Sequence, residues 1–139
     1  MKTNRIEIPV HWSDCDPAEI VFYPHYFKWF DCGTTELFAS VGLDFRHLFG
    51  DYGVIGVPIL DARAQFRRPS RFRDVITVES AIAEWRSSTF KLEHKVFNRG
   101  ELAVEGYEIR AWVAKDETHP SGIRTLPLPE EIKARFEDD

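Results

Sequence analysis

Two carboxylates, Asp14 and Asp16, stand two residues apart with Cys15 between them, shortly before a run that begins Pro24-His25-Tyr26. A carboxylate can attack a carbonyl carbon, or take a proton from a water that does so, when donors hold the carbonyl oxygen. Pro24 suits the first turn of a helix, where its missing N–H costs nothing. A helix start supplies unpaired N–H groups and the positive end of a dipole. A carboxylate facing such donors is the equipment of acyl transfer. The same residues also have a plainer use, as loop and capping groups of the helix, and an Asp-x-Asp pair alone does not separate the two readings. Cys15 has no evident partner to tune it as a thiolate. The five histidines show no two-histidine spacing of a zinc site, so no metal is expected.

The elements that must position these groups follow from periodicity. Arg5 to Trp12 alternates, with Ile6, Ile8 and Val10 on one face, and reads as a first strand. Tyr23, Tyr26, Phe27, Phe30, Thr34, Leu37, Phe38 and Val41 recur at helical spacing. They predict a helix from Pro24 to Val41, closed by Gly42. Leu43 to Gly53 reads as a loop. Val54 to Phe66, Val75 to Trp85, Thr89 to Asn98 and Leu102 to Ala114 read as strands, with a turn at Asn98-Arg99-Gly100-Glu101. Ile123 to Leu126 reads as a short extended segment and Pro129 to Phe136 as a terminal helix. A long helix with one apolar stripe needs a sheet to cover it. The expected class is α+β, one antiparallel sheet wrapped around one long central helix. One domain over residues 1–139 is expected, and sheet edges and the outer face that need cover favour an oligomer.

Composition narrows the classes. The chain has 139 residues, 43% hydrophobic and 29% charged, with a net charge of −5, which argues against broad electrostatic binding of nucleic acid. Two cysteines are too few for a disulfide framework. No run of about 18 apolar residues is present to span a membrane. Nothing at the N-terminus reads as a signal peptide, so a cytoplasmic protein is expected. Arg63, Arg67, Arg68, Arg71 and Arg73 crowd one stretch of this acidic chain, a pattern that suits either phosphate contact or a solvated strand end.

The run Trp12-Ser13-Asp14-Cys15-Asp16-Pro17-Ala18-Glu19-Ile20-Val21-Phe22-Tyr23-Pro24-His25-Tyr26, leading into Trp29-Phe30-Asp31, resembles the signature of the 4-hydroxybenzoyl-CoA thioesterase family of hotdog-fold proteins. The similarity extends through Gly56-Val57-Pro58 and Glu84-Trp85-Arg86 and so covers most of the chain. It implies hydrolysis of a small, aromatic, hydroxybenzoyl-type acyl-CoA to free acid and coenzyme A. Asp16 is then the catalytic nucleophile or general base, and the backbone N–H of Tyr23 polarises the thioester carbonyl. By the same resemblance Asp31 holds a ring hydroxyl, and Arg86, Ser87 and Ser88 meet the nucleotide phosphates. Coenzyme A enters as part of the substrate, no further cofactor is needed, and the assembly is a homotetramer built as a dimer of dimers.

Three positions depart from the pattern. Glu19 stands where the family usually has glycine, Val57 replaces a hydroxyl-bearing residue of some relatives, and Arg86-Ser87-Ser88-Thr89 is less basic than the corresponding run. Two alternatives stay open on sequence: a non-hydrolytic acyl-CoA-binding hotdog protein, and a thioesterase for short or medium aliphatic chains. A haloacid-dehalogenase-type phosphatase shares the Asp-x-Asp opening, but the strand-rich C-terminal half does not suit its alternating architecture. A hotdog dehydratase would need a histidine at the centre of the signature, where none stands.

Overall fold

A computed structural model describes residues 1–137, and Asp138 and Asp139 lie outside the described range. Strand β1 (Thr3–Pro9) leads through a 3-10 turn at Trp12–Asp14 into helix α1 (Pro24–Ser40). Helix α2 (Phe45–Asp51) follows, then strands β2 (Ile59–Phe66), β3 (Val75–Trp85), β4 (Thr89–Asn98) and β5 (Glu101–Ala111). A small ribbon of β6 (Val113–Lys115) and β7 (Ile123–Thr125) precedes α3 (Glu130–Ala134). The five long strands form one antiparallel sheet in the order β1-β3-β4-β5-β2, with α1 packed against it. The expected α+β architecture is what the chain adopts.

Strands β3 and β4 begin and end where their β-branched and aromatic runs do, and a two-residue turn joins β4 to β5. Arg99 and Gly100 both have positive φ, 53° and 77°, the conformation that matches the twist of a hairpin. Several expectations fail. The stretch expected as a loop contains α2, whose first turn is capped by the Asp44 carboxylate accepting from the Arg46 N–H at 2.8 Å; Leu48 then packs it into the core. The strand expected from Val54 begins only at Ile59, because Ile55 and Gly56 turn aside to pair with Val113. The same detour ends β5 at Ala111, three residues short of the expected end. The terminal helix is also shorter than expected.

Helix α1 lies very close to the sheet. A Cβ on Gly33 would run into the Ser80 hydroxyl, and one on Gly106 into the Arg63 carbonyl and the Phe30 ring. The apolar core is divided in two. One cluster gathers Tyr26, Trp29, Phe30, Ile76, Val78, Val96 and Val104; the other gathers Leu37, Phe38, Ile82, Phe90, Leu92, Trp112 and Ile132. Between them, four buried polar residues cross the core: Thr34 of α1, Ser80 of β3, His94 of β4 and Glu108 of β5.

This stripe satisfies itself. Glu108 Oε1 accepts from the Thr34 hydroxyl at 2.7 Å and from His94 Nε2 at 3.0 Å, and the Ser80 hydroxyl meets His94 Nδ1 at 2.7 Å. The His94 ring stacks on Phe30 with centroids 4.7 Å apart. Arg110, also buried, reaches back to Glu108 Oε2 at 3.0 Å. Burial alone would push the Glu108 carboxyl up. The hydrogen bond from His94, the Arg110 and His94 charge interactions and the Thr34 hydroxyl overcome it and hold the group at about 2.

Because the folded chain holds Glu108 below its ordinary range, the unfolded chain binds more protons in acid. The stabilisation is complete above the ordinary carboxylate range and is lost as pH falls toward the folded value. Wild-type stability in urea should therefore fall on the order of 3 kcal/mol between about pH 5 and pH 2 from this group. Glu108→Gln should be less stable at neutral pH and should lose that part of the pH slope, which urea melts across the range will measure.

Candidate active site

The loop after β1 is held from several sides. Asp14 Oδ2 accepts from the His11 N–H at 2.9 Å, its carbonyl accepts from the Phe22 N–H at 2.8 Å, and His25 Nδ1 lies 3.3 Å from its other carboxylate oxygen. Cys15 pairs with Val21 and Ile20 with Arg71 in single β-bridges, while the Val21 N–H donates to the Ser70 carbonyl at 2.9 Å. Asp16 to Glu19 form a tight turn: the Glu19 N–H donates to the Asp16 carbonyl at 2.8 Å, and Asp16 Oδ1 accepts from the Ala18 N–H at 2.8 Å. Pro17, second in that turn, presets its φ. Asp16 Oδ2 has no hydrogen-bond partner among the described residues.

The helix start behind this turn presents one free donor. Pro24 has no N–H, the His25 N–H donates to the Phe22 carbonyl and the Tyr26 N–H to the Tyr23 carbonyl. The Tyr23 N–H has no acceptor among the described residues. Asp16 and Tyr23 line the same cleft, of about 370 Å³, which Tyr26, Phe66, Arg67 and Arg68 help to wall. The Phe66 ring sits 6.2 Å from Tyr23 and 5.7 Å from Tyr26, so the cleft is aromatic on one side. Arg67 pairs with Glu105, and Arg68 with Glu101 at 3.2 Å. Trp29 is buried in the core beneath the cleft. Burial and the Asp14 carboxylate push the Cys15 thiol up, against its use as a thiolate.

The remaining expected site residues lie elsewhere in the chain. Asp31 is seven residues beyond Pro24, about 10 Å along the helix axis, and its Oδ1 accepts from Arg110 Nη2 at 2.7 Å. It opens on a second pocket of about 450 Å³, lined also by Phe45, Phe49, Val57 and Pro58. Arg86, Ser87 and Ser88 form the β3–β4 turn, at the opposite end of the sheet from Asp16. Arg86 pairs with Glu84 at 3.1 Å, and the Ser87 and Ser88 carbonyls accept from Leu128 and Trp112. Sequence reasoning missed Arg110, His94 and Glu108. Their signal was present: Leu92-His94-Val96 sets a polar residue at inward parity, and Glu108 and Arg110 share inward parity on β5.

Glu19 occupies the left-handed region with φ 67°, at the position where glycine was expected. A side chain there costs about 1 kcal/mol relative to glycine. Glu19→Gly should accordingly stabilise the protein by about 1 kcal/mol, read as a higher urea midpoint with unchanged slope.

Comparison with known proteins gives this geometry its context. The profile of the thioesterase-like superfamily matches residues 10–136. The 4-hydroxybenzoyl-CoA thioesterase of Pseudomonas sp. (strain CBS-3) is 33% identical over 126 residues, spanning 86% of this chain and 87% of that protein. A variant of a 4-hydroxybenzoyl-CoA thioesterase, solved in complex with 4-hydroxybenzoyl-CoA, superposes with a TM-score of 0.90 at 28% identity, covering 99% of this chain and all of the other. A gentisyl-coenzyme A thioesterase superposes at 0.81 with 29% identity, covering 96% of this chain and 98% of its own. The chain therefore belongs to the thioesterase-like superfamily, as a hotdog-fold acyl-CoA thioesterase.

Proposed function

We propose that the substrate is a small hydroxyaryl thioester of coenzyme A and that Asp16 and the Tyr23 N–H carry out its hydrolysis. The observation behind this reading is the shared cleft: a carboxylate with one uncommitted oxygen and a helix-start N–H with no acceptor. The N–H donates to the thioester carbonyl oxygen and stabilises the charge that grows there. Asp16 either attacks the carbonyl carbon, expelling the coenzyme A thiolate and leaving an acyl anhydride that water then hydrolyses, or takes the proton of a water that attacks the carbonyl directly. Either way the products are the free acid and the thiol. The named relatives, thioesterases for 4-hydroxybenzoyl-CoA and gentisyl-CoA, support an aromatic acyl group that bears a hydroxyl.

A second copy of the chain completes the site in this reading. Among the described residues strand β2 pairs only with β5; it is almost wholly exposed and leaves Ile59, Leu60 and Phe66 in solvent. Its end, Phe66 with Arg67, walls the Asp16 cleft, whereas Val57 and Pro58 just before its start wall the Asp31 pocket. If two copies pair β2 antiparallel about a twofold axis, the start of one strand meets the end of the other. The Asp16 cleft of one copy then adjoins the Asp31 pocket of its partner. The acyl ring extends from cleft to pocket, and two such dimers make the tetramer. Arg67 and Arg68 stand at the cleft rim as phosphate contacts; Arg86, Ser87 and Ser88 take that role only if a neighbouring copy supplies them.

Asp16→Asn and Asp16→Ala should lower the rate of thiol release from 4-hydroxybenzoyl-CoA roughly a thousandfold or more, with circular dichroism unchanged. Full thiol release by Asp16→Ala would overturn the mechanism. The shared site is tested by mixing and refolding Asp16→Ala with Asp31→Ala protein. Mixed dimers should recover the wild-type preference for 4-hydroxybenzoyl over benzoyl thioester, which neither variant shows alone. No recovery would place the whole site within one copy.

A further inference from the structure

Arg110 is almost sealed from solvent, yet it ends at the wall of the Asp31 pocket. Its Nε donates to Glu108 Oε1 at 3.3 Å and its Nη1 to the Val57 carbonyl at 3.0 Å. Its Nη2 donates to Glu108 Oε2 at 3.0 Å and to Asp31 Oδ1 at 2.7 Å. A guanidinium has five N–H groups in a rigid fork. These four contacts leave a single N–H of Nη1, which cannot clasp a carboxylate in the two-pronged manner that makes arginine a carboxylate receptor.

Asp31 is in the converse position. Its side chain is 58% exposed, one oxygen is held by Arg110, and Oδ2 has no partner among the described residues. The walls around it, Phe45, Phe49, Val57 and Pro58, are apolar. Thr35, the other polar residue of the lining besides Arg110, already donates its hydroxyl to the Asp31 carbonyl at 3.0 Å, so the charged group this pocket offers a ligand is one oriented acceptor oxygen of Asp31. An aspartate on a helix surface has several side-chain rotamers open to it; here the choice is made by a guanidinium that Glu108 anchors from within the core.

We propose that Arg110 is a positioning residue that aims Asp31 into the pocket. The pocket thereby selects acyl groups that end in a hydroxyl donor and rejects those that end in a carboxylate. This rests on the reading above, in which Asp31 meets the far end of the acyl group. Arg110 does not touch the substrate. It acts through Asp31, just as His94 and Thr34 act on Arg110 through Glu108.

The test is a ratio, kcat/KM for 4-hydroxybenzoyl-CoA over that for benzoyl-CoA, which cancels differences in the fraction of folded enzyme. Wild type should favour the hydroxylated thioester by roughly tenfold or more, as expected for a hydrogen bond to a charged group. Asp31→Asn should erase most of that preference. Arg110→Met and Arg110→Lys should bring the ratio down toward the Asp31→Asn value, since lysine keeps the charge but not the fork. A wild-type ratio in Arg110→Met, with the ratio lost in Asp31→Asn, would overturn the positioning role and leave the reading of Asp31 intact. A wild-type ratio in Asp31→Asn would overturn both. A measurement on wild type needs no variant to fold: 4-carboxybenzoyl-CoA should show a KM at least about tenfold above that of 4-hydroxybenzoyl-CoA. A lower KM for the carboxylated thioester would mean that the guanidinium is open to ligand, and the inference would fall.

Discussion

A carboxylate in the middle of a protein core must be answered by charge and hydrogen bonds, or it will not stay ionised there. Glu108 is such a carboxylate, and much of this structure is arranged to answer it. Thr34 approaches from the helix because Gly33 and Gly106 let the helix come close to the sheet. His94 approaches from the adjacent strand, oriented by Ser80 and by the face of Phe30. Arg110 closes the other side and carries the connection outward to Asp31. Replacing any one partner leaves the others unsatisfied in a low dielectric, so the stripe fixes the register of four elements against one another.

That arrangement separates two pockets whose residues the sequence runs together. Asp16 and Tyr23 are close in the chain and share a cleft because a tight turn and a helix start are local structures. Asp31 is only eight residues beyond Tyr23, yet helix geometry carries it into a different pocket under different influence. The Asp16 cleft is built from backbone-directed turns, which place atoms by local structure. The Asp31 pocket is built from side chains anchored through the core.

What could be read from the sequence follows the same division. The limits of β3 and β4, the Arg99-Gly100 turn and the start of α1 came from patterns a few residues long, and the structure keeps them. Helix α2 escaped notice because seven residues are too few to hold a helix without tertiary packing, although Asp44 was a legible cap. The Val54–Pro58 detour depends on pairing with Val113, more than fifty residues away, which no local period announces. The Glu108 network joins residues up to 79 positions apart. Its only trace in the sequence is a set of polar residues at inward parity on strands otherwise apolar there. Position 19 departs from the glycine that the resemblance leads one to expect, and only the backbone reveals that the glutamate pays a conformational cost there.

The unpaired flank of β2 has a further meaning. A strand with a free row of N–H and C=O groups, and with Ile59, Leu60 and Phe66 bare beside it, is an invitation to any chain that offers a matching edge. Were that edge its own copy's, as in the site proposed above, turnover per subunit would become a matter of mass action, because dilution would part the Asp16 cleft of one chain from the Asp31 pocket of the other. Expression level would then set not only how much enzyme a cell holds but how discriminating each molecule of it is.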